Sequence, residues 1–261
     1  MSKEDDLIPF PTAPVVEGKS SINLVGPHAD GKRADFQPLR LVIPDDVARH
    51  FLITDIKVGR CSQLFSAACL PASLFAESAP VDHYQFDVVR PGMSISVSAY
   101  NMSYEARKLT IRVEGETSPL KWGERDRGGI CGLGHTLIGR WQTVNVIAWS
   151  QVVFEPRRLY VPPELLDSVI VEEVAKIPAY LPRVPGQERV QLAPDDAAPF
   201  DSVSGGLLTR ENLLEGGRFR CGVGFAVDPI VTPYYRVRVR VHNDTDAEVA
   251  FTGALIGKSY E

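Results

Sequence analysis

The sequence predicts an all-β protein built from two tandem β-sandwich, jelly-roll-like domains with an extended N-terminal arm. Short segments in which apolar and polar residues alternate recur along its 261 residues. Such alternation is typical of strands that bury one face. In addition, the segment PRRLYVPPELLDSVIVEEV, residues 156–174, repeats the pattern of PLRLVIPDDVARHFLITDI, residues 38–56. We therefore expect one β unit to occur twice in the chain.

The composition is that of a globular protein with sizeable cores, with 44% hydrophobic and 23% charged residues. No apolar stretch reaches the roughly 18 residues of a membrane span, so none is expected. The acidic, proline-rich start MSKEDDLIPFPTAP lacks the basic and apolar regions of a secretory signal. A net charge of −5 argues against a nucleic-acid binder, which usually carries a basic patch.

The four cysteines form no CxxC pair and no regular framework. We expect reduced, buried thiols in a protein made in a cytoplasm, although a disulfide between any two stays open. The residues are Cys61, Cys69, Cys131 and Cys221.

Residues 1–37 are rich in Pro, Gly, Ser and charge and lack periodicity, so they are predicted to be the extended arm. Its apolar pieces LIPF and INLV could dock on a neighbour, and a solvated tail is the simpler alternative. From residue 38 the chain alternates, is interrupted at Pro44, and continues in the β-branched run HFLITDIKVG. The apolar residues after Pro44 also fit one helix face, but β-branching favours strand, short helical turn, then strand.

Three further segments of the first half are strand candidates: YQFDVV (84–89), MSISVSAYN (93–101) and ARKLTIRVEG (106–115). The polar residues 101–105 between the last two predict a hairpin connection. Residues 117–136 hold GERDRGGICGLGH and predict a glycine-rich loop, and WQTVNVIAWSQVVF (141–154) predicts a strand. The second half adds a long loop, the alternating segments 218–227 and 235–243, and the final segment 247–257.

The repeat has a fixed spacing in each of its two parts. Leu41 and Pro44 match Leu159 and Pro162 at a spacing of 118 residues, whereas Asn101 matches Asn243 at 142. The 24-residue difference is extra loop in the second half. The predicted organisation is therefore the arm at 1–37, a first sandwich at 38–117, a glycine-rich loop and connecting strand at 118–155, and a second sandwich at 156–261.

No residue set predicts a catalytic, cofactor or metal site. The loop GGICGLGH lacks the Gly-Lys-Ser/Thr ending of a phosphate loop and the spacing of a dinucleotide fingerprint. Cys131 and His135 form a lone Cys-x3-His pair, whereas structural zinc sites bring four ligands. A histidine-activated cysteine nucleophile is a further, weaker reading of that pair. Calcium on Asp195, Asp196 and Asp201 stays open, with a solvated loop as the simpler interpretation.

Two groups of residues are candidate contact sites. Arg236, Arg238 and Arg240 alternate with valine, so one sheet face carries all three; a solvent-facing row that protects a strand edge is the plain interpretation. The functional one is contact with a carboxylate-rich neighbour. Trp141 and Trp149 share a face if one continuous strand holds them, and with Trp122 they could bind sugar; core or interface packing is the alternative.

The run from FLITDIKVGRCSQL to LPASLF, followed by PGMSISVSAYN, resembles bacteriophage virion proteins built from paired jelly rolls or β-sandwiches. The resemblance implies a capsid or capsid-associated protein that self-assembles, alone or with other shell proteins, and resides in a virion made in the host cytoplasm. It carries over no catalytic residues, so the protein is predicted not to be an enzyme. The alternatives are a glycan- or protein-binding β-sandwich, with residues 178–206 as a further surface, and a cupin-like metal enzyme.

Overall fold

The computed structural model describes residues 6–28, 35–79, 84, 86–116, 127–178, 198–199, 231 and 235–260. The chain divides into two compact units, Met1–Ile130 and Cys131–Glu261. Within the described ranges, no helix has the length and apolar character needed to cross a membrane. The all-β sandwich class predicted from the alternating segments is confirmed.

The described part of the first unit consists of strands, one short helix and one 3-10 turn. The strands are β1 (Asp6–Pro9), β2 (Val15–Val16), β3 (Ser21–His28), β4 (Gln37–Val42), β5 (Phe51–Val58), β6 (Cys61–Ser62), β7 (Leu70–Pro71), β8 (Ser94–Asn101), β9 (Arg107–Lys108) and β10 (Arg112–Glu116). The helix is α1 (Asp45–Ala48), and the 3-10 turn is Ala72–Phe75.

The described part of the second unit follows the same pattern, and most of its strands are longer. Its strands are β11 (Arg127–Ile138), β12 (Thr143–Ala148), β13 (Val153–Tyr160), β14 (Val169–Pro178), β15 (Ala198–Pro199), β16 (Tyr235–Asn243) and β17 (Val249–Tyr260). A 3-10 turn at Pro163–Leu165 stands where the first unit has α1.

Each unit contains two main sheets with corresponding strand orders. In the first unit they are β1-β10-β4 and β3-β8-β5-β6; in the second they are β11-β17-β13 and β12-β16-β14-β15. In both units the chain passes repeatedly from one sheet to the other, as in a jelly roll. Alternation places every second side chain inside: in β8 the residues Ile95, Val97 and Ala99 are buried, and the serines between them are only partly so.

The registers of the two units coincide at the spacings found in the sequence. Val113 pairs with Leu41, and Leu255 pairs with Leu159. The β5–β8 ladder shifts register between Ile53 and Asp55, and the β14–β16 ladder shifts between Val171 and Glu173, which lie 118 residues later. A β-bulge is a specific local feature, so its recurrence at equivalent positions shows that the two ladders are built alike.

A second bulge recurs where glycine faces proline. Gly115 pairs with Pro38, and Gly257 pairs with Pro156, each beside a register shift. A Cβ on Gly115 would overlap the carbonyl oxygen of Gln37, and one on Gly257 would overlap that of Glu155. Only glycine allows the two backbones to approach this closely.

Several sequence predictions need correction. Part of the predicted arm forms strands β1, β2 and β3, because these segments pair with β10, β9 and β8 far along the chain. The predicted hairpin at 101–105 instead joins β8 to a strand of another sheet. The described part of the predicted glycine-rich loop lies in β11, which pairs with β17. The division between residues 130 and 131 falls within β11, most of which belongs to the second unit.

Other predictions have mixed outcomes. The turn between β4 and β5 is a short helix after Pro44, as predicted. Of the predicted strand at 84–89, Gln85 lies outside the described residues. The backbone N–H groups of Tyr84 and Phe86 bond to β4, and Val89 bridges Phe36, but the segment is not a continuous strand. Cys61 is exposed, contrary to prediction, whereas Cys131 is buried. The segment 218–227, Cys221, Trp122 and the aspartates Asp195, Asp196 and Asp201 lie outside the described residues.

Candidate interaction surface

The outward side of sheet β12-β16-β14 brings the three predicted arginines together. Val237, Val239 and Val241 of β16 are buried, so Arg236, Arg238 and Arg240 occupy the other face. We call this surface the arginine face and define it by the three arginines with Asn145 and Ile147 of β12 and Ile170, Glu172 and Glu173 of β14.

Two of the arginines already bind carboxylates of β14. The Arg238 guanidinium donates from Nη2 to Oε2 of Glu173 at 2.6 Å and from Nε to the same oxygen at 3.2 Å. Arg240 Nε lies 2.8 Å from Oε2 of Glu172. The bulge after Val171 sets both glutamates beside β16. Two of the three guanidinium groups of the face therefore have a carboxylate partner within the chain.

The two ion pairs differ in exposure. The Arg238 and Glu173 side chains are 11% and 21% exposed, whereas those of Arg240 and Glu172 are 52% and 34% exposed. Removing one partner of a buried ion pair leaves an uncompensated charge and therefore costs more than at an exposed pair. The Arg238–Glu173 ion pair thus has a structural role, whereas the Arg240–Glu172 ion pair is accessible to a partner.

Apolar side chains border the accessible part. Ile147 and Ile170 are 40% and 39% exposed on the strands at either side of β16. At one end of the face, Thr143 Oγ1 and His242 Nδ1 are 3.0 Å apart. Arginine beside exposed apolar side chains is the composition of protein interfaces.

Trp141 and Trp149 flank strand β12 rather than sharing a strand. Trp141 precedes β12 in a left-handed backbone conformation with φ 54°, and Trp149 follows its last residue, Ala148. They are 57% and 54% exposed. Because no single strand holds both tryptophans, they do not share a strand face. Neither indole packs into the core, contrary to that alternative. Both are available for contact.

The corresponding face of the first unit has different chemistry. Ser94, Ser96 and Ser98 occupy the positions of the three arginines, 142 residues earlier, on strand β8. Asp55 replaces Glu173 and binds Lys57 Nζ at 3.3 Å and Ser62 Oγ at 2.7 Å. Alternation in the sequence predicted the arginine row, and the strand registers place the serines at the equivalent positions of β8.

The predicted Cys131–His135 pair does not form a site, because Cys131 is buried and His135 is exposed. Among the described residues no group of three or more His, Cys, Asp or Glu side chains is placed to hold a metal ion.

Among the described residues, the pKa is clearly shifted for Asp45, His50 and Cys69, which lie in the first unit and not on the arginine face. Hydrogen bonds from the backbone N–H and hydroxyl of Ser78 hold the pKa of Asp45 below its ordinary value. Burial lowers the pKa of His50, aided by Arg107 and Arg49, and burial raises the pKa of Cys69.

No family model matches the sequence, and no curated protein is similar to it. Among solved structures, the chain is similar to the major capsid protein P2 from bacteriophage PM2, with 9% sequence identity and a TM-score of 0.37. The alignment covers 99% of each chain.

Proposed function

We propose that this chain is a structural protein of a phage-like particle, a capsid or capsid-associated protein, that acts by self-assembly through the outer surfaces of its two sandwich units. The observation that carries the proposal is a shared framework with different outer faces. Registers, bulges and the buried side of the sheets recur in both units, while Ser94, Ser96 and Ser98 give way to Arg236, Arg238 and Arg240.

This combination suits a building block. A tandem duplication of one β unit supplies two similar frames in a single chain, and divergence of their outer faces supplies two kinds of contact. Repeating assemblies need distinct, complementary contacts whose symmetry closes the particle. The exposed indoles of Trp141 and Trp149 add the anchoring side chains typical of such contacts.

The test is imaging of the purified full-length protein by negative-stain electron microscopy, with its mass measured by light scattering after size exclusion. The proposal expects a regular particle or a defined oligomer. Material that stays at the 28.7 kDa of one chain at every concentration would contradict it.

A glycan- or protein-binding module is the second candidate, favoured by the exposure of both tryptophans. Its glycan form predicts that Trp141→Ala and Trp149→Ala abolish binding on a glycan array. An array on which the wild-type protein binds nothing would remove that form.

A further inference from the structure

One edge strand of the protein lacks the features that keep edges from pairing with other chains. Natural edge strands are protected by charged residues, proline, bulges or shortness, because their free N–H and C=O groups otherwise pair with any available strand. Among the described edge strands longer than two residues, β1, β3, β4 and β13 each contain a proline, and β11 is bridged at Ile130 by Leu64. Strand β12 reads TVNVIA, with neither charge nor proline.

The free groups of β12 can be assigned from its ladder with β16. Asn243 donates its N–H to the carbonyl oxygen of Gln142 at 2.9 Å. Hydrogen-bonding residues alternate along an antiparallel strand, so Val144 and Val146 are the next to bond β16. Thr143, Asn145 and Ile147 therefore direct their N–H and C=O groups to the other side, where none of the described strands lies.

This edge is accessible along its length. Thr143, Asn145 and Ile147 are all exposed, and Trp141 and Trp149 stand exposed just beyond its two ends. The edge therefore offers backbone pairing in the middle and large anchoring side chains at both ends.

We propose that β12 is a self-association edge, where β12 of a second copy of this chain adds in antiparallel orientation and extends sheet β12-β16-β14 across a two-fold axis. This inference rests on the proposed self-assembly and identifies the strand that carries it.

Charge favours a second copy as the occupant. Two-fold pairing brings each residue of a strand opposite one of the same strand, so a charged edge would oppose like charges at a cost. Strand β12 has no charged residue. On the neighbouring strand β16, Arg238 and Arg240 form ion pairs with Glu173 and Glu172 of their own chain. These two ion pairs therefore add no net charge next to the two-fold partner.

The first unit offers a matched control. Asn23 pairs with Ser98 in β3 just as Asn145 pairs with Arg240 in β12, at an equivalent register. Strand β3, however, contains Pro27. Proline at either asparagine removes one outward N–H and leaves the ladder to the neighbouring strand intact.

The experiment compares wild type, Asn145→Pro and Asn23→Pro by sedimentation equilibrium. Asn145→Pro is expected to raise the dissociation constant at least about tenfold, and Asn23→Pro is expected to leave it unchanged. Hydrogen exchange on the wild-type protein gives a second readout. The amides of Thr143, Asn145 and Ile147 should exchange rapidly when dilute and slowly when associated, whereas those of Val144 and Val146 should stay slow in both states.

The outcomes separate this inference from the proposed function. If the wild type and Asn145→Pro have the same dissociation constant and the three outward amides stay unprotected, β12 is not the contact strand. Self-assembly through another surface would remain in agreement with that result. A wild type that never associates overturns both. If Asn145→Pro loses its fold by circular dichroism, the exchange pattern of the wild type decides.

Discussion

Asn101 and Asn243 make the same five side-chain hydrogen bonds in the two units. Each Nδ2 donates to three carbonyl oxygens: those of Val16, Glu17 and Glu105 for Asn101, and those of Ile138, Gly139 and Ala247 for Asn243. Each Oδ1 accepts from the backbone N–H and the hydroxyl two residues on, at Ser103 and Thr245. Both asparagines are fully buried. In each unit, the asparagine thus holds in place the turn that follows its strand, β8 or β16, where the chain passes to a different sheet.

Replacing either asparagine with aspartate should destabilise the protein, because the carboxylate donates nothing and faces three carbonyl oxygens. We expect Asn101→Asp and Asn243→Asp each to lower the free energy of unfolding by about 2–5 kcal/mol at neutral pH, measured by urea denaturation. Asn23→Asp is the control: its side chain is exposed and only accepts from Ser98 Oγ. Equal, small effects of all three variants would show that the buried networks are not structural.

The bulge glycines should tolerate no side chain. Gly115→Ala and Gly257→Ala would force Cβ into the carbonyl oxygens of Gln37 and Glu155, and a loss of about 1–3 kcal/mol is expected from thermal unfolding. Glu114→Ala, beside Gly115 in β10, should change stability by less than about 0.5 kcal/mol. Wild-type stability in both alanine variants would mean that these backbones do not approach closely.

The two ion pairs of the arginine face should differ in strength. Glu173→Gln removes the carboxylate that the largely buried Arg238 binds through Nε and Nη2, so we expect a loss of about 1–3 kcal/mol. Glu172→Gln acts on the exposed Arg240 pair and should cost less than about 1 kcal/mol. Chemical denaturation of the two variants side by side measures the difference, and the reverse order would contradict the assigned burial.

Stability should fall on acidification through the titration of His50. Burial holds its pKa in the folded protein below the ordinary 6.5, so the unfolded chain takes up a proton first as the pH drops. The contribution of the neutral imidazole is complete above about pH 6.5 and declines as the pH falls toward the folded pKa. The neutral ring also accepts a hydrogen bond from Arg49 Nε at 3.3 Å.

His50→Ser installs the residue found at the equivalent position, Ser168, and should flatten the stability profile between pH 5 and 7, roughly the range in which histidine titrates. Urea midpoints across that range make the measurement. A variant whose midpoints fall as steeply as those of the wild type would exclude His50 as the cause.

The spacings of the repeated pattern can be found in the sequence because the signal is local and periodic. Leu41 with Leu159 and Asn101 with Asn243 stand at fixed spacings, and those spacings recur in the strand registers. The three arginines were placed on one face correctly for the same reason. Their pairing with Glu172 and Glu173 was not predicted, because it depends on a bulge that alternation cannot reveal.

The errors have a common physical origin. Ile8 forms a strand because it pairs with Val113, about a hundred residues away, and no property of residues 1–37 reports that partner. Strand β11 is rich in glycine, which disfavours strands locally, yet the ladder with β17 imposes the conformation. The polar corner after Asn101 looks like a hairpin turn because a change of sheet leaves no mark in local composition.

The account is tested most directly by sedimentation velocity of the full-length protein over a broad range of concentration. Self-assembly through the outer surfaces of the two units predicts a sedimentation coefficient that rises with concentration to a discrete larger species. A single species with the mass of one chain, 28.7 kDa, at every concentration would contradict it.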